Sequence, residues 1–205
     1  MMMNFLLNSQ TYINFEGGLI LLKNKISLLA KRYQKFMSLT KIKSNTKIID
    51  CASGRGFGSN FILQTFTPKK LVCIDISSSM IEECRMRTNG KADEYIQTDL
   101  RKFECDEQFD YFFSLETLEH LPKEDNMIIS KRISNLIKVG GKLFISVPGN
   151  PKDCMKNPDH LQMVSEKVLV DMFDVFTLES KGRFIKRKKE PDSYNSLYVF
   201  IKKYN

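Results

Sequence analysis

The run Asp50-Cys51-Ala52-Ser53-Gly54-Arg55-Gly56-Phe57-Gly58 constrains this chain more than any other stretch. It follows the short apolar segment Lys47–Cys51, which reads as a buried strand. It precedes Asn60–Phe66, which reads as a helix stopped by Pro68. The small residues Ala52, Ser53, Gly54 and Gly56 permit a tight strand-to-helix turn and let a ligand approach the backbone closely. The helix behind the turn aims its first N–H groups at that ligand, a setting that suits a carboxylate. Two other glycine loops are excluded. A dinucleotide fingerprint would put Ser59 or Phe61 where its third glycine must stand. A phosphate-binding loop needs a Gly-Lys-Ser/Thr ending, and the chain has none.

The alternation of strand and helix continues downstream. Leu71–Ile74 reads as a strand ending at Asp75, and Ser79-Met80-Ile81-Glu82 reads as a capping box that opens the next helix. Glu94–Gln97 is a weak strand before Asp99, and Tyr111–Ser114 is another strand. Asn126–Ile137 has helical spacing, and Gly140-Gly141 turns into the strand Lys142–Val147, halted by Pro148. Ser165–Phe173 is a short helix with Ser165 as its N-cap. Two last strands, about Phe176–Ile185 and Leu197–Ile201, flank a basic loop that holds Pro191. Strands separated by helices imply an α/β fold with a mainly parallel sheet. With 205 residues, 42% of them apolar, the chain supports one core, so residues 1–205 read as a single domain. Residues 1–45 form its basic helical extension and residues 46–205 its catalytic core. In the extension, Leu22, Ile26, Leu29, Tyr33 and Phe36 recur at helical steps, which predicts one helix from about Gly18 to Leu39.

Charge separates the ends from the middle. Residues 1–47 carry eight Lys/Arg against Glu16, and residues 181–205 carry eight against Glu190 and Asp192. Basic ends read first as solvated faces, and secondarily as docking surfaces for acidic partners or for peripheral contact of the N-terminal helix with a membrane surface. Five cysteines without a C-x-x-C pair fit a reducing, cytoplasmic setting and no zinc cluster. No run of eighteen apolar residues is present, so no membrane span is expected.

Asp75 ends the second core strand, where a carboxylate can accept both hydrogen bonds of a ribose diol. Asp99 ends the next, where an acid can receive an exocyclic amine. Taken with the loop, the ordered stretches IIDCASGRGFGSNF, LVCIDISSSMIEECR, YIQTDL, FDYFFSLETLEHLP and VGGKLFISVPG resemble the class I S-adenosylmethionine (SAM)-dependent methyltransferase family over about Lys47–Gly149. The resemblance implies a Rossmann-like, seven-stranded, mostly parallel sheet with helices on both faces and an antiparallel last strand. It implies a SAM site in which Asp50, Ala52, Ser53, Gly54 and Gly56 hold the methionine part, Asp75 the ribose, and Asp99 with Leu100 the adenine, with Ile76 and Leu115 also among the cofactor-binding residues. Ala52 and Ser53 stand where that family often has Gly and Cys, and both replacements are small.

The acceptor half rests on fewer residues. The chain has two histidines, and the loops bearing them, Glu116–Leu121 and Asn157–His160, should converge at the carboxyl ends of the strands. His120, His160 and Glu116 are therefore the candidate catalytic residues, with histidine as general base toward an acceptor hydroxyl. Alternatively, Glu116, Glu119, His120 and His160 would hold Mg²⁺ or Mn²⁺. The stretches ASGRGFGS, SLETLEHL and NPDHLQMVSEKVL are similar to bacterial surface-polysaccharide and lipopolysaccharide methyltransferases, which implies a sugar hydroxyl of a surface glycan or its precursor as acceptor. The E-x-x-E-H phrase is also similar to metal-dependent small-RNA 2′-O-methyltransferases and to quinone-type O-methyltransferases, which makes nucleic acid or a small molecule the second choice.

Overall fold

Runs of β-branched and aromatic residues, apolar on both sides, build the centre of the sheet, as strands covered on both faces require. The computed structural model describes residues 11–15, 18–22, 28–187 and 189–203. The strands are β1 (Thr11–Phe15), β2 (Gly18–Leu22), β3 (Lys47–Cys51), β4 (Lys70–Asp75), β5 (Glu94–Gln97), β6 (Phe109–Leu115), β7 (Ile137–Pro148), β8 (Phe176–Arg187) and β9 (Glu190–Lys202). The helices are α1 (Leu28–Met37), α2 (Phe57–Phe66), α3 (Ser78–Arg87), α4 (Asn126–Leu136), the one-turn α5 (Pro151–Cys154) and α6 (Glu166–Met172). The seven-stranded sheet has the order β5-β4-β3-β6-β7-β9-β8. Strand β9 runs antiparallel to both neighbours, and the pairs among β3 to β7 are parallel. This is the sheet expected from the sequence, with the antiparallel strand last in the chain.

Strand alternation divides the core into two layers. Phe112 and Ile145 face α4 and α6, where Ile129, Ile133, Leu169 and Phe173 meet them. Phe113 and Phe144 face the other way, toward Tyr33 and Phe36 of α1 and Ile62 of α2. The rings of Phe113 and Phe144 stack with centroids 4.4 Å apart and planes 10° apart. Chain order runs outward from β3 through β4 to β5, then returns to β6 on the other side of β3. That reversal opens a crevice at the carboxyl ends of β3 and β6, the place where open α/β sheets bind ligands.

Several local expectations change. The single helix from Gly18 to Leu39 is instead the hairpin β1–β2, paired Thr11↔Leu22 through Phe15↔Gly18, followed by the shorter α1. A short apolar run such as Gly18–Leu22 satisfies a strand as well as a helix, and periodicity cannot separate them. Ile26 lies outside the described residues. In α1 the apolar face is already used: Tyr33 and Phe36 are buried in the core while Lys31 and Lys35 are exposed, which leaves that face no apolar stripe for a membrane surface. Helix α3 is capped by Ser77, whose side chain accepts from the Met80 N–H, rather than opened at Ser79. Ser165 caps α6 as expected, accepting from the Val168 N–H at 3.3 Å. Gly140 and Gly141 fall inside β7, where the register jumps from Ile137 opposite Phe109 to Lys142 opposite Tyr111, and Gly140 takes φ 75°. Pro191 lies within β9, at the point where the pairing with β8 shifts between Ile185 and Arg187, so its missing N–H breaks no regular ladder. Among the described residues, no helix is long and apolar enough to cross a membrane.

Candidate active site

The glycine loop winds through three left-handed residues, Ala52 (φ 53°), Gly54 (φ 51°) and Gly56 (φ 74°). Its shape is held from β4: Ser53 N–H donates to the Ile74 carbonyl at 3.0 Å, and Gly54 N–H donates to Asp75 Oδ2 at 2.9 Å. Asp75 Oδ1 accepts from Ser77 N–H at 2.9 Å, so one carboxylate fixes both the loop and the entry to α3. Each glycine answers a different neighbour. A Cβ on Gly56 would lie 2.7 Å from Cys84 Cα on α3, and one on Gly58 would lie 2.2 Å from the Tyr33 ring. A Cβ on Gly54 would meet only the Ala52 carbonyl, at 3.9 Å. Thus Gly56 and Gly58 serve helix packing, and only Gly54 leaves open space.

A cavity of about 390 Å³ opens at this loop, lined by Ala52, Asp75, Ile76, Asp99 and Leu100 together with Glu116 and His120. These expected residues are brought together. Asp50, Ser53, Gly54, Gly56 and Leu115 do not line it. Asp50 is fully buried behind the loop, where Oδ1 accepts from Tyr33 Oη and Oδ2 from Ser59 Oγ, each at 2.5 Å. Burial pushes its carboxyl up to about 6, against the two hydrogen bonds that favour the charged form. Asp50 is therefore a structural acid that ties α1 and α2 to β3 rather than a ligand group.

Elsewhere along the cavity the side chain of Asp99 is engaged. Its Oδ1 accepts from the Arg101 backbone N–H at 2.9 Å, and Arg101 Nη2 reaches Oδ2 at 2.6 Å while Nη1 reaches Asp125 at 2.9 Å. These hydrogen bonds from Arg101 hold the Asp99 carboxyl below its usual range. Arg101 lines the cavity and escaped the sequence reading, although its spacing two residues after Asp99 is a visible signal.

The residues present fit SAM. Ala52 brings the turn to the cavity wall, and Asp75 still has lone pairs beyond the two N–H bonds it accepts, enough for a ribose diol. The cavity reaches from there past Asp99 to His120.

On the acceptor side, Glu116 closes β6 in a left-handed conformation, φ 55°. Ser146 Oγ and Asn195 Nδ2 donate to its carboxylate at 2.9 and 2.5 Å, and Arg32 Nη2 stands 3.6 Å away. Arg32 comes from α1 and Asn195 from β9, two partners that local sequence gives no reason to join. Glu119 is fully buried, and neither carboxylate oxygen has a hydrogen-bond partner among the described residues. Burial first, and then repulsion by Glu116, push it up to about 8. His120 Nδ1 lies 3.0 Å from the Asp159 carbonyl and His160 Nδ1 lies 2.8 Å from the Cys154 carbonyl. A carbonyl only accepts, so each Nδ1 carries a proton, and in the neutral ring each Nε2 is then left with its lone pair. The two imidazole centroids are 4.7 Å apart, and Glu119, His120 and His160 each offer a ligand atom within 4.8 Å of the others. The two histidine loops thus converge as expected, while Glu116 is drawn into the separate cluster with Arg32 and Asn195.

Known proteins resemble this chain over part of its sequence and in its fold. Residues 48–141 match the family model described as a methyltransferase domain. Malonyl-[acyl-carrier protein] O-methyltransferase 1 of Ilyobacter polytropus is 27% identical over 109 residues, 53% of this chain and 40% of that protein. Fatty-acid O-methyltransferase of Mycolicibacterium smegmatis is 24% identical over 107 residues, 52% of this chain and 38% of that protein. The matched stretch spans well under half the length of either relative. Among solved structures, the N-methyltransferase NodS of Bradyrhizobium japonicum, in complex with S-adenosyl-L-homocysteine, superposes with a TM-score of 0.73 at 16% identity, covering 87% of this chain and 89% of that one. A SAM-dependent methyltransferase of Methanosarcina mazei does so with a TM-score of 0.65 at 16% identity, covering 80% and 95%.

Proposed function

We propose that this chain is a class I SAM-dependent methyltransferase that moves the methyl group onto a hydroxyl oxygen of its acceptor with His120 as general base. One observation carries the reading: His120 lines the same cavity as Asp75, and its Nδ1–H bond to the Asp159 carbonyl leaves Nε2 able to take a proton. Bound SAM supplies an electrophilic methyl on a positively charged sulfur. The chain has then to align the acceptor oxygen in line with that methyl and accept the hydroxyl proton as the C–O bond forms and the C–S bond breaks. Asp75 and the loop at Gly54 hold the cofactor half. His120 holds the proton at Nε2, and the Asp159 carbonyl keeps the ring in the required tautomer.

The acceptor read from the sequence is a sugar hydroxyl of a surface glycan or its precursor. The names of the two curated relatives describe acyl substrates instead. Incubation with methyl-labelled SAM and, in parallel, a cell-envelope glycan fraction, an acyl-carrier and fatty-acid fraction and a small-RNA fraction separates these classes. Label confined to the glycan fraction supports the proposal, and label confined to either other fraction overturns the acceptor assignment.

A second reading has its own observation. Glu119, unpartnered and buried, stands with two imidazoles whose Nδ1–H groups are anchored to carbonyls, the arrangement in which histidines ligate divalent ions. Glu119, His120 and His160 would hold such an ion, which would acidify the acceptor hydroxyl. EDTA decides between the two. Turnover that survives EDTA and falls as the pH is lowered supports the base. Turnover lost in EDTA while SAM still binds, and restored by Mg²⁺ or Mn²⁺, supports the ion.

A further inference from the structure

A second cavity, of about 360 Å³, opens beside the C-terminal hairpin, lined by Lys181 and Arg183 of β8, Tyr194, Ser196 and Tyr198 of β9, and Glu166 of α6. It accounts for part of the basic C-terminal stretch that methyl transfer itself does not use. The guanidinium of Arg183 lies over the Tyr194 ring, 4.7 Å from its centroid, and among the described residues nothing accepts a hydrogen bond from it. The ring beneath it is fixed. Gly149 N–H donates to the Tyr194 carbonyl at 2.9 Å, and a Cβ on Gly149 would lie 2.1 Å from the Tyr194 ring, so the ring lies flat on a residue that has none. Arg183 therefore presents a pre-set fork of donors to the cavity, the geometry that matches a carboxylate or a phosphate. Lys181 pairs with Glu166 at 3.0 Å, but both side chains are well exposed, and such a pair is easily exchanged for another anion. The lining carries two cations to one carboxylate.

The cavity stands close to the reacting end. Tyr194 and Asn195 are consecutive on β9, so their side chains leave opposite faces, Tyr194 to the second cavity and Asn195 to Glu116 at the first. Leu161 lines the first cavity and Met163 the second, and both are exposed. One ligand with an apolar middle can cross Leu161 and Met163 and reach both. We propose that the acceptor carries a phosphate or carboxylate group remote from the methylated oxygen, and that this group binds in the second cavity through Arg183 with Lys181. The acceptor role rests on the methyl-transfer reading above.

The test is calorimetric titration of the full chain with octyl phosphate, sodium octanoate and the neutral octyl glucoside, with SAM titrated separately into the same preparations. The two anionic probes should bind wild type and the glucoside should not, and the tighter of the two identifies phosphate or carboxylate. Arg183→Gln, a change at an exposed position, should weaken the anionic probe about ten- to a hundredfold, with Arg183→Lys intermediate and SAM affinity unchanged in both. Equal binding of all three probes, or unaltered octyl phosphate binding in Arg183→Gln, overturns the inference. SAM binding without Arg183-dependent probe binding overturns this inference and leaves methyl transfer standing. Arg183-dependent probe binding without SAM binding upholds the anion site and overturns methyl transfer.

Discussion

Asp50 sits where its residue type invites a ligand, yet its oxygens are given to Tyr33 and Ser59. Removing one donor leaves a buried carboxylate oxygen unsatisfied, so Tyr33→Phe should cost about 1–3 kcal/mol in urea unfolding. The titration of Asp50 gives a second expectation. Burial holds its carboxyl at about 6, above the ordinary 3.8, so between these values the folded state keeps a proton that the unfolded chain has released. Its contribution to stability is then present at low pH and lost as the pH rises through that interval. Thermal midpoints measured across the interval should show a fall in wild type that is absent in Asp50→Asn. Asp75 works differently, because it faces the cavity while holding Gly54 N–H and Ser77 N–H. Asp75→Ala should weaken SAM binding by about ten- to a hundredfold, read by titration calorimetry.

At the scale of elements, helix α1 explains one of the loop glycines and one buried charge. Tyr33 packs where a Gly58 side chain would be, and its neighbour Arg32 reaches Glu116 across the site. Gly58→Ala should therefore destabilise the fold by about 1–3 kcal/mol through overpacking. Gly54→Ala should cost about 1–2 kcal/mol from its left-handed backbone alone. A double-mutant cycle separates the causes. In a Tyr33→Ala background the Gly58→Ala penalty should shrink, and the Gly54→Ala penalty should not. The legibility of elements follows the same division. Glu94–Gln97 and the cap at Ser165 were readable because strand patterning and a cap's side-chain bond are local. The N-terminal hairpin was not, since its identity depends on which strand pairs with Gly18–Leu22.

For the whole molecule, ligand linkage is the accessible test. SAM at one hundred times its Kd should raise stability by about 2.7 kcal/mol, seen as a higher Tm, and Asp75→Ala should remove most of that gain. NAD or ATP producing the shift while SAM produces none would contradict the cofactor assignment. By itself the sequence determined most of the order of strands and helices from Lys47 onward, the loop at Ala52–Gly56 and the acids Asp75 and Asp99. Each is written in neighbouring residues through periodicity, small side chains and strand ends, and the chain order then leaves few topologies open. Only the tertiary structure decided what those groups touch. It turned Asp50 away from the cavity, locked Asp99 to Arg101, and joined Glu116 to Arg32 and Asn195, which lie 84 residues before it and 79 after it. Such contacts depend on how α1 and β9 pack against the sheet. Packing is set by the summed burial of distant side chains, and no local run of residues encodes it.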